Sequence, residues 1–86
     1  MLQRISVLAQ KLEKAFLEIT SEYGRARSKF EPFNSAHEAY AIILEELDEF
    51  WDSVKRNKPS REELVQMGAM VLAALIELPL LHEEKK

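Results

Sequence analysis

Apolar residues recur every three or four positions along most of the chain, which is the period of an amphipathic helix. In the first third, this pattern predicts one helix from about Leu2 to Ser28. Its apolar seam consists of Ile5, Leu8, Leu12, Ala15, Ile19 and Tyr23. The sequence has two glycines, three prolines and no sustained alternation of apolar and polar residues. We therefore expect an all-α fold of helices joined by short turns.

The first helix is predicted to end where the aromatic and irregular segment 30–34 begins, because Pro32 disfavours helical backbone at Glu31. A second helix should follow at once. Ser35 and Glu38 have the spacing of a capping box, in which the serine caps the helix and the glutamate reaches back to the backbone N–H of Ser35. The pattern then continues to about Arg56.

A second capping box, Ser60 to Glu63, predicts a third helix from about Arg61 to Leu78, and Pro79 ends or kinks it. This helix is apolar on nearly all sides after Gln66, so neighbours must cover several of its faces. Two companion helices in one chain cover only part of it. We therefore predict that residues 1–86 form a single domain of three helices. Homo-oligomerisation, as a dimer or a dimer of dimers, would complete the helical bundle.

The second helix also carries a dense run of carboxylates, which is the one place where the sequence points to chemistry. Glu45, Glu46 and Glu49 lie three and four positions apart, so pairs of them can face one ion. If the second and third helices pack antiparallel, Glu46 and Glu49 lie beside Glu63. Such oxygen ligands suit Mg²⁺ or Mn²⁺. The alternative interpretation is a solvated acidic face, with Glu38 and Glu63 serving only as caps.

Composition limits the possible partners, the possible chemistry and the location of the protein. The formal net charge of -3 argues against a nucleic-acid or anionic-membrane partner, since both require a basic surface. The absence of cysteine removes disulfides, thiolate metal sites and thiol nucleophiles. The longest apolar stretch, around residues 67–76, is too short to cross a bilayer, so we expect a cytoplasmic protein.

Two segments resemble the MazG-like all-α nucleoside triphosphate pyrophosphohydrolases. They are residues 37–51, HEAYAIILEELDEFW, and residues 63–70, ELVQMGAM. The family pattern is Glu-Glu-x-x-Glu on one helix and Glu-x-x-Asp on the next. The resemblance implies that Mg²⁺ held by carboxylates binds a nucleoside triphosphate, and that attack by water releases nucleoside monophosphate and pyrophosphate.

Carried onto this chain, the resemblance implies that Glu46, Glu49 and Glu63 bind the metal. Glu45 would be a further ligand or the catalytic base that orients the attacking water. Gln66 occupies the position of the family's aspartate and offers a carbonyl oxygen without a charge. Because the chain ends soon after the third helix, the resemblance is to a minimal or reduced member of the family.

Three functions stay open at this point. The first is a Mg²⁺-dependent or Mn²⁺-dependent hydrolase of (deoxy)nucleoside triphosphates. The second is a non-catalytic oligomeric module of the same fold that binds a metal ion or nucleotide without turnover. The third is a helical dimer whose acidic stripe serves only solubility. The sequence leaves open whether the protein is an enzyme.

Overall fold

The structure of the chain is a computed structural model that describes residues 2–80, with side chains from Ser6 onward. It contains three α-helices and no strand within those residues. Helix α1 spans Leu2–Lys29, α2 spans Ala36–Lys55 and α3 spans Arg61–Glu77. The all-α prediction is confirmed, and each predicted helix end lies within one residue of the observed end. Within the described residues, no helix is both long and apolar enough to span a membrane.

Both predicted serine caps are present. The hydroxyl oxygen of Ser35 accepts a hydrogen bond from the backbone N–H of Glu38, and that of Ser60 accepts one from Glu63. The return bond of the first capping box differs from the prediction. The Glu38 carboxylate accepts from the N–H of Asn34 at 2.7 Å rather than from that of Ser35, so the residue before the cap is also held. This contact joins α2 firmly to the segment that precedes it.

Helix α3 lies between the other two helices and packs against both, whereas α1 and α2 make no comparable backbone contact with each other in the described part of the chain. Small residues on α3 make this possible. Ala69 and Ala73 are fully buried, and a Cβ atom at Gly68 would lie 3.0 Å from Ile19 Cδ1 of α1. The neighbouring helices therefore approach the α3 backbone closely.

The first helix is much longer than the helix it packs against. With a rise of about 1.5 Å per residue, α1 is roughly 42 Å long and α3 roughly 26 Å long. Ile19 contacts Gly68 and Glu18 pairs with Arg61 at the start of α3, whereas residues 6–14 are exposed on every side. The N-terminal half of α1, including Leu8 and Leu12, thus extends beyond the rest of the molecule.

Much apolar surface stays outside the helix contacts. Among the described side chains, no large hydrophobic residue is fully buried. The radius of gyration is 15.4 Å, compared with about 12 Å for a compact domain of this length. The accessible surface is 7120 Å², compared with about 5,200 Å² expected from the mass. A single chain therefore forms an open arrangement with a very small core.

We predict that Ala69→Leu lowers the free energy of unfolding by about 1–3 kcal/mol, because the larger side chain has no space between α3 and its neighbours. Urea denaturation followed by circular dichroism measures the change. Ala41→Leu is the matched control, since Ala41 is exposed on α2. Equal stability of the two variants would contradict the close packing of α3.

Candidate metal centre

Three carboxylates from two helices converge near the turn between α2 and α3. One oxygen from each of Glu46, Glu49 and Glu63 lies within 4.8 Å of the other two. We call these three residues the acidic cluster. The first two are one helical turn apart on α2, and the third lies in the first turn of α3. The antiparallel packing of the two helices brings them together, as the sequence predicted.

The turn itself explains why Glu63 is available to the cluster. In a complete capping box, the Glu63 carboxylate would accept the backbone N–H of Ser60. That N–H instead donates to the hydroxyl of Ser53 at 3.1 Å, and Ser53 donates in turn to the carbonyl of Phe50. Ser53 is buried, so this contact is protected from water. The Glu63 side chain is thereby released from capping and points to α2.

The left-handed backbone of Asn57 completes the turn. Its φ of 61° lies in a region that asparagine adopts more readily than most residues. The N–H groups of Asn57 and Lys58 donate to the carbonyls of Val54 and Ser53, which ends α2 within one turn. The short connection fixes the register of Glu49 against Glu63.

The electrostatics of the acidic cluster are unfavourable without a cation. Burial, together with the negative charges of Glu49 and Glu63, raises the pKa of Glu46 to about 7. Burial and the contact with Glu49 also raise the pKa of Glu63. One carboxylate oxygen of Glu46 and one of Glu63 are buried and accept no hydrogen bond from the described residues.

This geometry is compatible with a hard divalent cation. Oxygens that share one octahedral Mg²⁺ lie about 3–4 Å apart, so the cluster needs only small side-chain movements to reach that spacing. A cation would also satisfy the two buried oxygens and relieve the repulsion among the carboxylates. The donor set is all oxygen, which suits Mg²⁺ or Mn²⁺ better than softer ions.

A groove lies beside the acidic cluster, between α1 and α2, with α3 as its floor. Its volume is about 370 Å³. Glu45 and Glu46 line it from α2, Gln66 and Met70 from α3, and Arg25 from α1. The residues of the α1–α2 linker that line it are Phe30, Glu31 and Phe33. A wider hollow of about 810 Å³ along α1 shares Arg25 and Gln66 with this groove.

The structure separates the predicted site residues into two groups. The three predicted metal ligands form the acidic cluster, in which Glu49 is exposed and the other two are half-buried. Glu45 is outside the cluster, is exposed and lies along the groove. Gln66 is on the groove floor, on the same side as Glu46. The cluster is therefore open to the groove through Glu46, and Glu45 lies next to that opening.

Sequence reasoning missed two contacts that shape this region. Arg27, near the end of α1, forms a shielded ion pair with Glu77 of α3. The hydrogen bond between Ser53 and the backbone of Ser60 was not predicted, because a serine inside a helix does not by itself indicate a contact with the next helix. Neither contact has a local sequence signal.

Comparisons of the chain with protein-family models, with characterised proteins and with solved structures find no significant match.

We predict that the metal-free protein loses stability as the pH rises from about 5 to about 8. The pKa of Glu46 is about 7 in the folded state, above the unfolded value of 4.5, so the folded state binds more protons in this range. The raised pKa of Glu63 acts in the same direction. Thermal unfolding in a chelator at several pH values measures the slope.

Glu46→Gln should reduce this pH dependence and raise the melting temperature near pH 8, since the amide is neutral at every pH in the series. Asp48→Asn is the control, because Asp48 is an exposed acid on α2 outside the acidic cluster. An equal slope in wild type and Glu46→Gln would show that Glu46 does not carry the effect.

Proposed function

We propose that this protein is a MazG-like pyrophosphohydrolase that hydrolyses (deoxy)nucleoside triphosphates with Mg²⁺ or Mn²⁺. The observation that carries this proposal is the convergence of Glu46, Glu49 and Glu63 beside a groove, with two buried carboxylate oxygens that lack donors. The motif resemblance of residues 37–51 and 63–70 supports the choice of substrate. A volume of about 370 Å³ is within the range of small-molecule sites.

In this proposal, the acidic cluster holds the metal ion, which would polarise the phosphoryl oxygens when bound. Release of nucleoside monophosphate and pyrophosphate requires cleavage of the anhydride between the α and β phosphates by water. A base must accept the proton of that water. Glu45 is the candidate, because it is exposed in the groove next to the opening of the cluster.

The triphosphate also needs positive charge from the protein. Arg25 lines both the groove and the wider hollow, and its guanidinium donates two hydrogen bonds to Glu22, one turn earlier on α1. The Arg25 side chain is about half exposed, so a phosphate in the groove can reach the guanidinium and compete with Glu22 for it. Arg27 is less accessible to a ligand, because Glu77 already binds it.

We further propose that a second copy of the chain covers the apolar surface that one copy leaves exposed. Helix α2 presents Tyr40, Leu44, Leu47 and Trp51 at spacings of four, three and four, which places them on one face. All four are exposed, and we call them the outer stripe. Glu38 and Glu45 occupy a different face of α2, along the groove, so association through the outer stripe leaves the groove open.

Pyrophosphate release from a panel of canonical and modified nucleoside triphosphates, with Mg²⁺ or Mn²⁺, tests the activity. We expect turnover by the wild type, and a loss of at least 100-fold in the Glu46→Gln, Glu49→Gln variant, since removal of metal-bound charge is worth several kcal/mol in the transition state. Asp48→Asn should keep wild-type activity. Equal turnover by the double variant would remove the cluster from the reaction.

A metal-binding module without turnover is the second candidate, and Gln66 favours it because a neutral amide replaces a charged ligand. Mn²⁺ titration followed by melting temperature separates the two. A cation that binds only the folded state raises the melting temperature by mass action. A rise that depends on Glu46 and Glu49, without pyrophosphate release from any nucleotide, would favour the module. The absence of any rise would contradict both candidates.

For the association, we predict that Leu44→Glu combined with Leu47→Glu converts the oligomer to a folded monomer. Both leucines are exposed within one chain, so the substitutions place unpaired charge only in the interface between copies. Light scattering after gel filtration measures the mass. Ala41→Glu, on another exposed part of α2, is the control and should leave the mass unchanged. A wild-type monomer would contradict the proposed association.

A further inference from the structure

Glu77, the last residue of α3, accepts hydrogen bonds from three residues outside its own helix. One carboxylate oxygen accepts from Arg27 Nη2 at 2.7 Å and from the backbone N–H of Phe33 at 2.9 Å. The other accepts from Arg27 Nε and from the Tyr23 hydroxyl, the latter at 2.9 Å. The Glu77 side chain is only 8% exposed. These donors hold the pKa of Glu77 down at about 2, chiefly through Arg27.

The contacts of Glu77 join three parts of the chain at one end of the groove. Tyr23 and Arg27 belong to α1, Phe33 belongs to the linker of residues 30–35, and Glu77 belongs to α3. The Arg27 guanidinium also lies over the rings of Tyr23 and Phe33, at 5.5 and 5.3 Å from their centroids. The linker is thus held by a backbone hydrogen bond and by its aromatic side chain.

Glu77 does not line the groove, but two residues that it binds do. Arg27 and Phe33 both form part of the groove wall. Gln66 and Met70 form its floor, and Glu77 follows Met70 by seven residues, which places it on nearly the same face of α3. A shielded ion pair offers little net stability over an apolar pair of the same size. Its specific contribution here is geometric, because only an acceptor at this point can hold the Phe33 N–H.

We propose that Glu77 is a positioning residue that fixes the linker as the end wall of the groove. Without it, Phe33 and Arg27 are free to leave the wall, and the groove loses its shape at that end. The effect on substrate rests on the function proposed above, whereas the effect on the linker does not. Glu77 follows Glu63 by fourteen residues, about 21 Å along α3, so its replacement leaves the acidic cluster intact.

Two variants separate positioning from simple stabilisation. Glu77→Gln keeps the shape and an acceptor oxygen but removes the charge that orients Arg27. The exchanged pair Arg27→Glu with Glu77→Arg restores an ion pair between α1 and α3, but arginine has no acceptor for the Phe33 N–H. A purely structural ion pair would be rescued by the exchange. A positioning residue would not.

Amide hydrogen exchange of Phe33 tests the linker directly in the full chain. We expect exchange at Phe33 to be at least about 10-fold faster in the exchanged pair than in wild type, because the protecting acceptor is gone. The amide of Ala73, in the middle of α3, is the internal reference and should change less. Equal exchange at Phe33 in wild type and the exchanged pair would overturn the proposal.

Binding measurements then test the consequence for the groove. In Glu77→Gln, which leaves Arg27 in the groove wall but removes the charge that orients it, we expect the KM of the nucleoside triphosphate to rise by about 10-fold, the loss typical of one misplaced polar contact, with kcat changed by less than about twofold. Mn²⁺ affinity should stay within about twofold of wild type, since the acidic cluster is distant. A wild-type KM in Glu77→Gln would overturn the role in the groove.

The outcomes also distinguish this proposal from the proposed function. If the wild type releases no pyrophosphate from any nucleotide, the proposed activity fails, while the Phe33 exchange rate still decides whether Glu77 holds the linker. If the wild type is active and Phe33 exchanges equally fast in all variants, the activity stands and the positioning role of Glu77 is wrong.

Discussion

The structure depends on the close approach of two helices to α3. Because Ala69 and Ala73 add so little bulk, α1 and α2 both reach the α3 backbone, and the described residues bring them into contact with α3 rather than with each other. The space left between α1 and α2 is the groove. The same arrangement leaves the outer stripe and the N-terminal half of α1 uncovered, since a third helix cannot shield both sides of its neighbours. The groove and the exposed apolar surface thus both follow from the way α1 and α2 pack against α3.

The acidic cluster shows how a change of hydrogen-bond partner at a helix cap brings a third carboxylate beside two others. A capping glutamate is normally satisfied by the backbone N–H that it caps. Here Ser53 takes that N–H, and the Glu63 oxygen is left buried beside Glu46 without a donor. Glu38 provides the contrast within the same chain, because its carboxylate accepts from Asn34 and takes no part in the cluster. Two capping sequences with the same spacing therefore have different roles, and the deciding residue is a serine on the preceding helix.

The helices, their caps and the three members of the acidic cluster could be predicted because the signals are local. Periodicity marks the helices, and the short connection between Lys55 and Arg61 forces α2 and α3 to run antiparallel. The contact between Arg27 and Glu77 could not be predicted, since fifty positions separate them and each residue looks like an ordinary surface charge. The separation of α1 from α2 could not be predicted either, because it depends on how closely the small residues of α3 allow both helices to approach. The linker geometry, and with it the end wall of the groove, follows from these long-range contacts.

Charge balance gives Gln66 a physical role beyond the loss of a ligand. The acidic cluster already has one carboxyl group, Glu46, with a pKa of about 7, so near neutral pH the three groups do not all carry a full charge. A fourth carboxylate at position 66, on the groove floor beside Glu46, would raise that pKa further and increase the repulsion in the metal-free protein. The amide of Gln66 avoids this cost and adds N–H donors that a carboxylate lacks. Gln66 lines the groove in which, in the proposed function, the anionic phosphates would lie. In the proposed function, a neutral residue at this position would weaken the metal site, stabilise the metal-free protein and offer a hydrogen-bond donor to the substrate.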